Sequence, residues 1–183
     1  MSAAGRPVRV IGVDPGSLST GWAILEVRGR RPWVVAWGSI RPDPKERFAG
    51  RLASIKEALD EVVLRYRPTE AAVEDLFHAA SARTAIRLGE VRGVVVVALA
   101  EAGLPVHGYA PAKVKKAVSG FGGAGKDQVG RMVSKLLGLR EVPKPADAAD
   151  ALAIALCHLH DAGLASAQAP ASRARGIRHP VRG

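Results

Sequence analysis

The chain contains little cysteine. Its 183 residues include a single cysteine, Cys157, which lies in an Ala/Leu-rich segment. A lone cysteine cannot close a disulfide within the chain, and apolar neighbours favour a small buried thiol over a reactive one. We therefore expect a protein of a reducing compartment. A chain of 183 residues can bury a sizeable core, so we expect it to need no disulfide or metal staple to fold.

Long apolar runs are also missing. No apolar stretch reaches the roughly 20 residues that a membrane-spanning helix needs. The first apolar run, residues 8–13, is too short for a signal peptide and is followed by no cleavage pattern. We find no internal repeat and no second domain. The sequence thus predicts a cytoplasmic protein with no membrane partner, made of one domain over residues 1–163 and a tail over residues 164–183.

Acidic residues are outnumbered by basic ones. The chain has 27 Lys and Arg against 17 Asp and Glu, a formal net charge of +10. The tail holds four arginines and no acid, so removing it still leaves +6. It has no hydrophobic periodicity, and we interpret it as a disordered basic segment, either a solvated terminus or a loose nucleic-acid arm. A basic excess of this size favours polyanions, above all nucleic acid.

Hydrophobic patterning predicts an α/β domain with five strands and five helices. Three strands with short connections, which imply antiparallel neighbours, precede an alternation of helices and strands. The predicted strands cover residues 8–14, 20–27, 32–41, 71–76 and 105–110, and the predicted helices cover residues 44–65, 81–103, 111–118, 126–137 and 145–161. We expect the helix over 81–103 to be buried. This order predicts a five-stranded mixed sheet flanked by helices on both faces.

Four carboxylates stand near the ends of predicted core elements. Asp14 ends the first strand, Glu74 lies in the short strand V-E-D-L-F, and Asp147 and Asp150 stand three residues apart on one face near a helix start. Each acid except Asp150 has a simple structural alternative. Asp14 suits a turn in which Gly16 supplies unusual dihedrals, Glu74 could face water, and the helix dipole favours Asp147. Asp150 opens an almost wholly apolar face, where a carboxylate needs a partner.

Convergence of the four acids would require a cation, because carboxylates repel one another at close range. Oxygen ligands without paired Cys or His suit Mg²⁺ or Mn²⁺ better than zinc. The five histidines are scattered, and the sequence assigns none of them a role. Two metal ions can activate a water and stabilise the leaving oxygen of a phosphodiester. A basic protein with such a cluster is predicted to bind nucleic acid and cut it.

The motifs that carry these acids resemble those of the RuvC Holliday-junction resolvases. The similarity runs over about residues 9–160, through I-G-V-D-P-G-S-x-x-T-G, A-V-E-D-L-F, A-x-R-L-G-E-V-R-G-V, V-K-K-A-V-S-G, G-K-D-Q-V and A-D-A-A-D-A-L-A-I-A. The resemblance implies a ribonuclease-H-like fold and a homodimer that makes paired symmetric nicks in four-way DNA junctions. It also implies that the protein acts in homologous recombination and DNA repair, with branch-migration motor proteins as partners.

The resemblance also implies roles for particular residues. Asp14, Glu74, Asp147 and Asp150 would be the catalytic ligands of two Mg²⁺ ions, with Mn²⁺ as a possible substitute, although the third position varies among related enzymes. Phe77 would stack on bases unpaired at the crossover, whereas a lone Phe is more often a core residue. Lys115 and Lys126 would contact the DNA backbone, whereas such lysines often form only a solvated face. Gly89 and Gly93, four apart on a predicted helix, would admit a close backbone, either the chain's own sheet or a second copy.

The sequence also has three other interpretations. Residues 120–127, G-F-G-G-A-G-K-D, match the start of a P-loop but place Asp127 where Ser or Thr is required and follow a basic helix. We interpret them as a flexible loop, with Asp127 capping the next helix. An actin or sugar-kinase type ATPase also begins with a strand and Asp-x-Gly, but it needs two such domains. A junction-binding protein without cleavage is the non-enzymatic alternative.

Overall fold

The computed structural model describes residues 7–75 and 81–164. In these residues five strands form one sheet, in the order β3-β2-β1-β4-β5. The strands are β1 (Arg9–Asp14), β2 (Thr20–Arg28), β3 (Arg31–Ile40), β4 (Glu70–Glu74) and β5 (Val106–Tyr109), and the helices are α1 (Phe48–Tyr66), α2 (Ala82–Glu101), α3 (Pro111–Ser119), α4 (Lys126–Leu137) and α5 (Ala146–Asp161). The predicted order and type of the elements are confirmed. No helix in the described part of the chain is long and apolar enough to cross a membrane.

Strand pairing makes the sheet mixed, as predicted. The short connections join antiparallel neighbours, β1 with β2 and β2 with β3, whereas β1 pairs with β4 and β4 with β5 in parallel. Val13 on β1 is the register partner of Val73 on β4. Each strand therefore reaches the same edge of the sheet one residue later, where Asp14 and Glu74 stand side by side.

Helices cover both faces of the sheet. Alternate strand residues point to opposite faces, so Ala72 packs with α3, α4 and α5, whereas Val13 and Val73 pack with α1 and α2. Helix α5 is the most deeply embedded, because every residue from Ala151 to Leu159 is buried. The first turn of α5, which carries two of the predicted acids, is therefore fixed against the sheet by the burial of the rest of the helix.

Two glycines let α5 lie directly on the central strands. A Cβ at Gly12 would overlap the carbonyl oxygen of Ala151, and a Cβ at Gly21 would overlap that of Asp147. Backbone oxygens in a buried helix cannot move aside as the end of a flexible side chain can. Any side chain at these positions would push the start of α5 away from β1 and β2.

Several local predictions need correction. Helix α1 starts at Phe48 instead of residue 44, because Asp43 forms a turn in which its carboxylate accepts from Lys45 N at 2.8 Å. Strand β4 ends at Glu74 instead of residue 76, although the amide of Asp75 still donates to Tyr109 O on β5 at 2.8 Å. Residue 76 lies outside the described residues.

The N-cap of α4 and the turn after β1 also differ from the predictions. Gly125 is the N-cap residue of α4, and Asp127 lies inside the first helical turn instead of capping it. Gly16 has no positive φ. A glycine is needed there for space, because a Cβ would overlap the carbonyl oxygen of Ser19 as the loop folds back. The prediction that the loop before α4 is no P-loop is confirmed in its context, since helix α3 precedes it in place of a strand.

Helix α2 was expected to be buried, and only one of its faces is. Val91, Val95 and Leu99 are buried against the sheet, whereas Ile86 and Val97 are 65% and 51% exposed. The apolar run in this helix is thus shared between the core and an open apolar surface.

Candidate active site

Three of the four predicted acids line one cavity at the edge of the sheet. Asp14 ends β1, Glu74 ends β4, and Asp150 lies in the second turn of α5. They surround a cavity of about 220 Å³ whose lining also includes Lys115 and Lys126. The convergence predicted from the sequence is thus present for these three carboxylates and both lysines.

Asp147 lies beside this cavity and does not line it. Its carboxylate accepts a hydrogen bond from Ser19 Oγ at 2.5 Å. Its charge nevertheless helps to raise the pKa of Asp14, so the two carboxylates are close enough to repel. Ser19 was not predicted, because no sequence pattern marks it, more than Ser17 in the same loop, as a partner of Asp147.

Burial and mutual repulsion disfavour the ionised forms of the clustered carboxylates. Burial, followed by the charges of Glu74, Asp150 and Asp147, raises the pKa of Asp14 to about 7. Burial, followed by the charge of Asp150, also raises the pKa of Glu74. Carboxylate oxygens are the hard donors that Mg²⁺ and Mn²⁺ prefer, and a cation relieves the repulsion between adjacent, partly buried carboxylates. The residues present therefore fit a divalent cation.

The two lysines supply positive charge at the rim of the cavity. Lys126 Nζ lies 3.3 Å from Asp150 Oδ2, and the charge of Asp150 raises the pKa of Lys126. Lys115 projects from α3, and the charges of Lys126 and Lys115 offset part of the rise in the pKa of Glu74 that burial and Asp150 cause. Lys113 on the same helix instead pairs with Asp161 at 2.8 Å. The lysine-rich helix therefore contributes one residue to the cavity and another to a separate ion pair.

Two arginines hold the segments that follow the acid-bearing strands. Arg51 on α1 donates to the carbonyl oxygen of Ser17. Arg92 on α2 pairs with Asp75 at 2.5 Å and donates to the carbonyl oxygen of Glu74 at 3.2 Å. Neither arginine was predicted from the sequence, although Arg92 belongs to one of the motifs quoted above. Both act by positioning the backbone next to Asp14 and Glu74.

The remaining predicted residues lie elsewhere. Phe77 falls outside the described residues, so its stacking role stays a prediction. Gly89 and Gly93 lie on the open face of α2, where an added Cβ would meet no described atom within 4 Å. The alternative in which the chain's own sheet covers these glycines is therefore wrong.

Comparisons with known proteins agree with these features. A family model described as crossover junction endodeoxyribonuclease RuvC matches residues 10–158. RuvC proteins of Heliobacterium modesticaldum and Pelotomaculum thermopropionicum are 46% and 49% identical over 151 residues, which are 82% of this chain and 93% and 92% of those proteins.

A solved structure shows the same architecture. The structure of T. thermophilus RuvC in complex with Holliday junction substrate superposes with a TM-score of 0.79 at 38% identity, covering 85% of this chain and 94% of that one. Together with the five-stranded mixed sheet, this match confirms the predicted ribonuclease-H-like fold. The chain therefore belongs to the RuvC family of crossover junction endodeoxyribonucleases.

Proposed function

We propose that this chain is a structure-selective DNA endonuclease that resolves Holliday junctions by paired symmetric nicks, in homologous recombination and repair. The observation that carries the proposal is the cavity in which Asp14, Glu74 and Asp150 meet Lys115 and Lys126. A RuvC relative solved with Holliday junction substrate supports the choice of DNA structure. The family assignment argues against an actin or sugar-kinase type ATPase. Branch-migration motor proteins are proposed partners on the resemblance alone.

Divalent metal ions complete the proposed active site. Asp14, Glu74 and Asp150 would hold two Mg²⁺ ions, with Mn²⁺ as a possible substitute. Asp147 is the fourth proposed ligand. It would bind a metal ion through the carboxylate oxygen that Ser19 does not contact, or through the other oxygen after losing the hydrogen bond from Ser19. When bound, such ions supply an activated water and stabilise the leaving oxygen. The raised pKa of Asp14 supports this role, since a cation removes the repulsion that causes part of it.

The remaining residues would bind and orient the DNA. Lys115 and Lys126 stand at the rim of the acidic cavity, where an ammonium can hold a backbone phosphate against the repulsion of the carboxylates. Each such contact releases a counterion and steepens the salt dependence of binding. Phe77 follows Glu74 by three residues in the sequence. We propose that it stacks on a base unpaired at the crossover, a contact worth ~1–3 kcal/mol.

Cleavage of a labelled synthetic four-way junction tests the proposal. We expect paired symmetric nicks in the junction with Mg²⁺, none with EDTA, and none in a linear duplex of the same sequence. Several junction sequences should be used, because sequence preference could mask activity. Binding without nicking in every sequence, with both Mg²⁺ and Mn²⁺, would favour the alternative of a junction-binding protein without cleavage.

We also propose that the protein is a homodimer through the open face of α2. Ile86, Gly89, Gly93 and Val97 follow one another at helical spacing and form an exposed stripe of apolar and small residues. The two glycines leave room for a close helix backbone. A two-fold axis at this stripe would supply the two related sites that symmetric nicking of two strands requires.

Replacing Gly93 by lysine should convert the dimer to a monomer. The new side chain would place a charge in the middle of the apolar stripe, and it should not disturb the helix, because lysine has the higher helix propensity. Sedimentation equilibrium at micromolar concentration measures the change. Gly50→Lys, which places the same side chain at an exposed glycine of α1, is the matched control and should remain dimeric. A monomeric wild type, or a dimeric Gly93→Lys variant, would rule out this interface.

A further inference from the structure

A second group of ligand-type side chains lies apart from the acid cluster. Glu70 at the start of β4, His107 on β5 and His158 near the end of α5 bring a carboxylate oxygen and two ring nitrogens within 4.8 Å of one another. We infer that Glu70, His107 and His158 form a binding site for a zinc-type transition-metal ion, with one coordination position left to water.

This site is distinct from the proposed catalytic one. Glu70 precedes Glu74 by four residues on β4, which at the strand rise places the two ~13 Å apart along the chain. His158 follows Asp150 by eight residues on α5, or ~12 Å at the helical rise. Two separate elements give the same spacing, which is far too long for one ion to span both groups.

The fold explains why the three side chains converge. Glu70 and Ala72 lie on the face of β4 that α5 covers, and His107 is the register partner of Ala72 on β5. His158 projects from α5 towards this face. Its Nε2 lies 2.7 Å from Glu70 Oε2, and its ring centroid lies 4.7 Å from that of His107. His158 is buried, whereas His107 is exposed and leaves the site open to ions from solution.

The surroundings of His158 suit a metal ligand. A metal-bound histidine usually donates its other ring N–H to an acceptor, which fixes the orientation of the ring. Tyr109 Oη lies 2.8 Å from His158 Nδ1 and 3.5 Å from Asp161 Oδ2. Tyr109 can therefore accept from Nδ1–H and donate to Asp161, which leaves the Nε2 lone pair directed towards Glu70 and His107.

A simpler arrangement explains part of the cluster. With no ion, Nε2–H of His158 can donate to Glu70, and a buried histidine is then fully hydrogen-bonded. That arrangement gives no role to His107, whose ring packs against His158. Two imidazoles, one carboxylate and a water form a common zinc ligand set, whereas Mg²⁺ prefers oxygen donors. An ion bound here would link β4, β5 and α5. Of these elements, β4 and α5 carry proposed catalytic acids.

Cobalt titration of the full-length protein tests the site. Co²⁺ substitutes for Zn²⁺ and reports tetrahedral coordination by its visible absorption. The titration is done with Asp14→Asn protein and excess Mg²⁺, so that the acid cluster contributes little. We expect one tetrahedral Co²⁺ per chain, displaced by Zn²⁺. Adding His107→Ala should weaken the affinity by ~100-fold or more. Adding His160→Ala, which removes a histidine of α5 outside the cluster, should leave it unchanged.

Glu70→Gln separates metal binding from folding. The amide oxygen of glutamine can still accept from His158 Nε2–H, so the metal-free Tm should stay close to that of the wild type. In the Asp14→Asn background with excess Mg²⁺, Zn²⁺ should raise the Tm of the protein that keeps Glu70, and adding Glu70→Gln should remove this rise. Absence of tetrahedral Co²⁺ binding, or equal affinity in the His107→Ala protein, would overturn the inference. These measurements do not involve DNA cleavage, so their failure leaves the proposed nuclease function unaffected.

Discussion

Asp14→Asn should abolish junction cleavage and leave junction binding intact. Asparagine has nearly the same size and shape as aspartate, so the packing at the end of β1 is preserved. It cannot supply the negative charge that a divalent cation requires. We expect the single-turnover cleavage rate to fall by at least ~10³-fold, which corresponds to about 4 kcal/mol in the activation barrier. Gel-shift binding in EDTA provides the parallel measurement.

Asp60→Asn is a matched control for this variant. It makes the same chemical change in a half-exposed residue of α1 that pairs with Lys56 at 2.8 Å, and it should cleave like the wild type. Retained cutting by a contaminant-free preparation of the Asp14→Asn protein would remove Asp14 from the mechanism. Loss of binding together with cleavage would indicate that the substitution disturbed the fold instead of the chemistry.

The metal-free protein should lose stability as the pH rises from about 4 to about 7. The pKa of Asp14 is raised from 3.8 to about 7 in the folded state, so over this range the folded protein holds a proton that the unfolded chain has released. Stability is therefore greatest below the unfolded pKa and falls until the folded pKa is passed. At about 1.4 kcal/mol per pH unit, Asp14 accounts for at most ~4 kcal/mol of this loss.

Urea unfolding in EDTA between pH 4 and 8 measures this effect. Other groups titrate in the same range, so the informative quantity is the difference between wild type and Asp14→Asn. The variant should become the more stable protein near neutral pH, with a larger free energy of unfolding and a higher urea midpoint than the wild type. Asp60→Asn should follow the wild type.

Mg²⁺ should reverse the order of stability. It binds the ionised carboxylates of the folded wild type and stabilises them by mass action, and the effect should be much smaller in the Asp14→Asn protein. Superimposable pH profiles of the wild type and Asp14→Asn in EDTA would mean that Asp14 titrates normally. The repulsion argument for a metal site would then fail.

The local predictions that failed share one physical origin. The start of α1 was placed by helical spacing, but a turn formed by Asp43 and Lys45 N precedes the helix; Asp127 was expected to cap α4, but Gly125 is the N-cap residue. The exposed face of α2 was missed because a run of valines looks equally apolar whether it faces a core or an open surface. Preferences of this kind are weak compared with the packing that surrounds them.

The sequence by itself determined the order of the elements, the mixed sheet and the acids that meet at its edge. Strand and helix periodicities are local, and the parallel pairing of β1 with β4 brings Asp14 and Glu74 to the same edge. The resemblance to the family added the roles of Lys115 and Lys126. The acids and Lys126 stand at or near the ends of elements that short-range patterning can locate, whereas Lys115 lies in the middle of α3.

Only the tertiary structure decided which residues support that site and which form a second one. Ser19 meets Asp147 across 128 positions of sequence, and Glu70 meets His158 across 88. No periodicity links residues so far apart, because their approach depends on how closely α5 packs on the sheet. That distance is set by Gly12 and Gly21, where the absence of a side chain lets the helix backbone touch the strands.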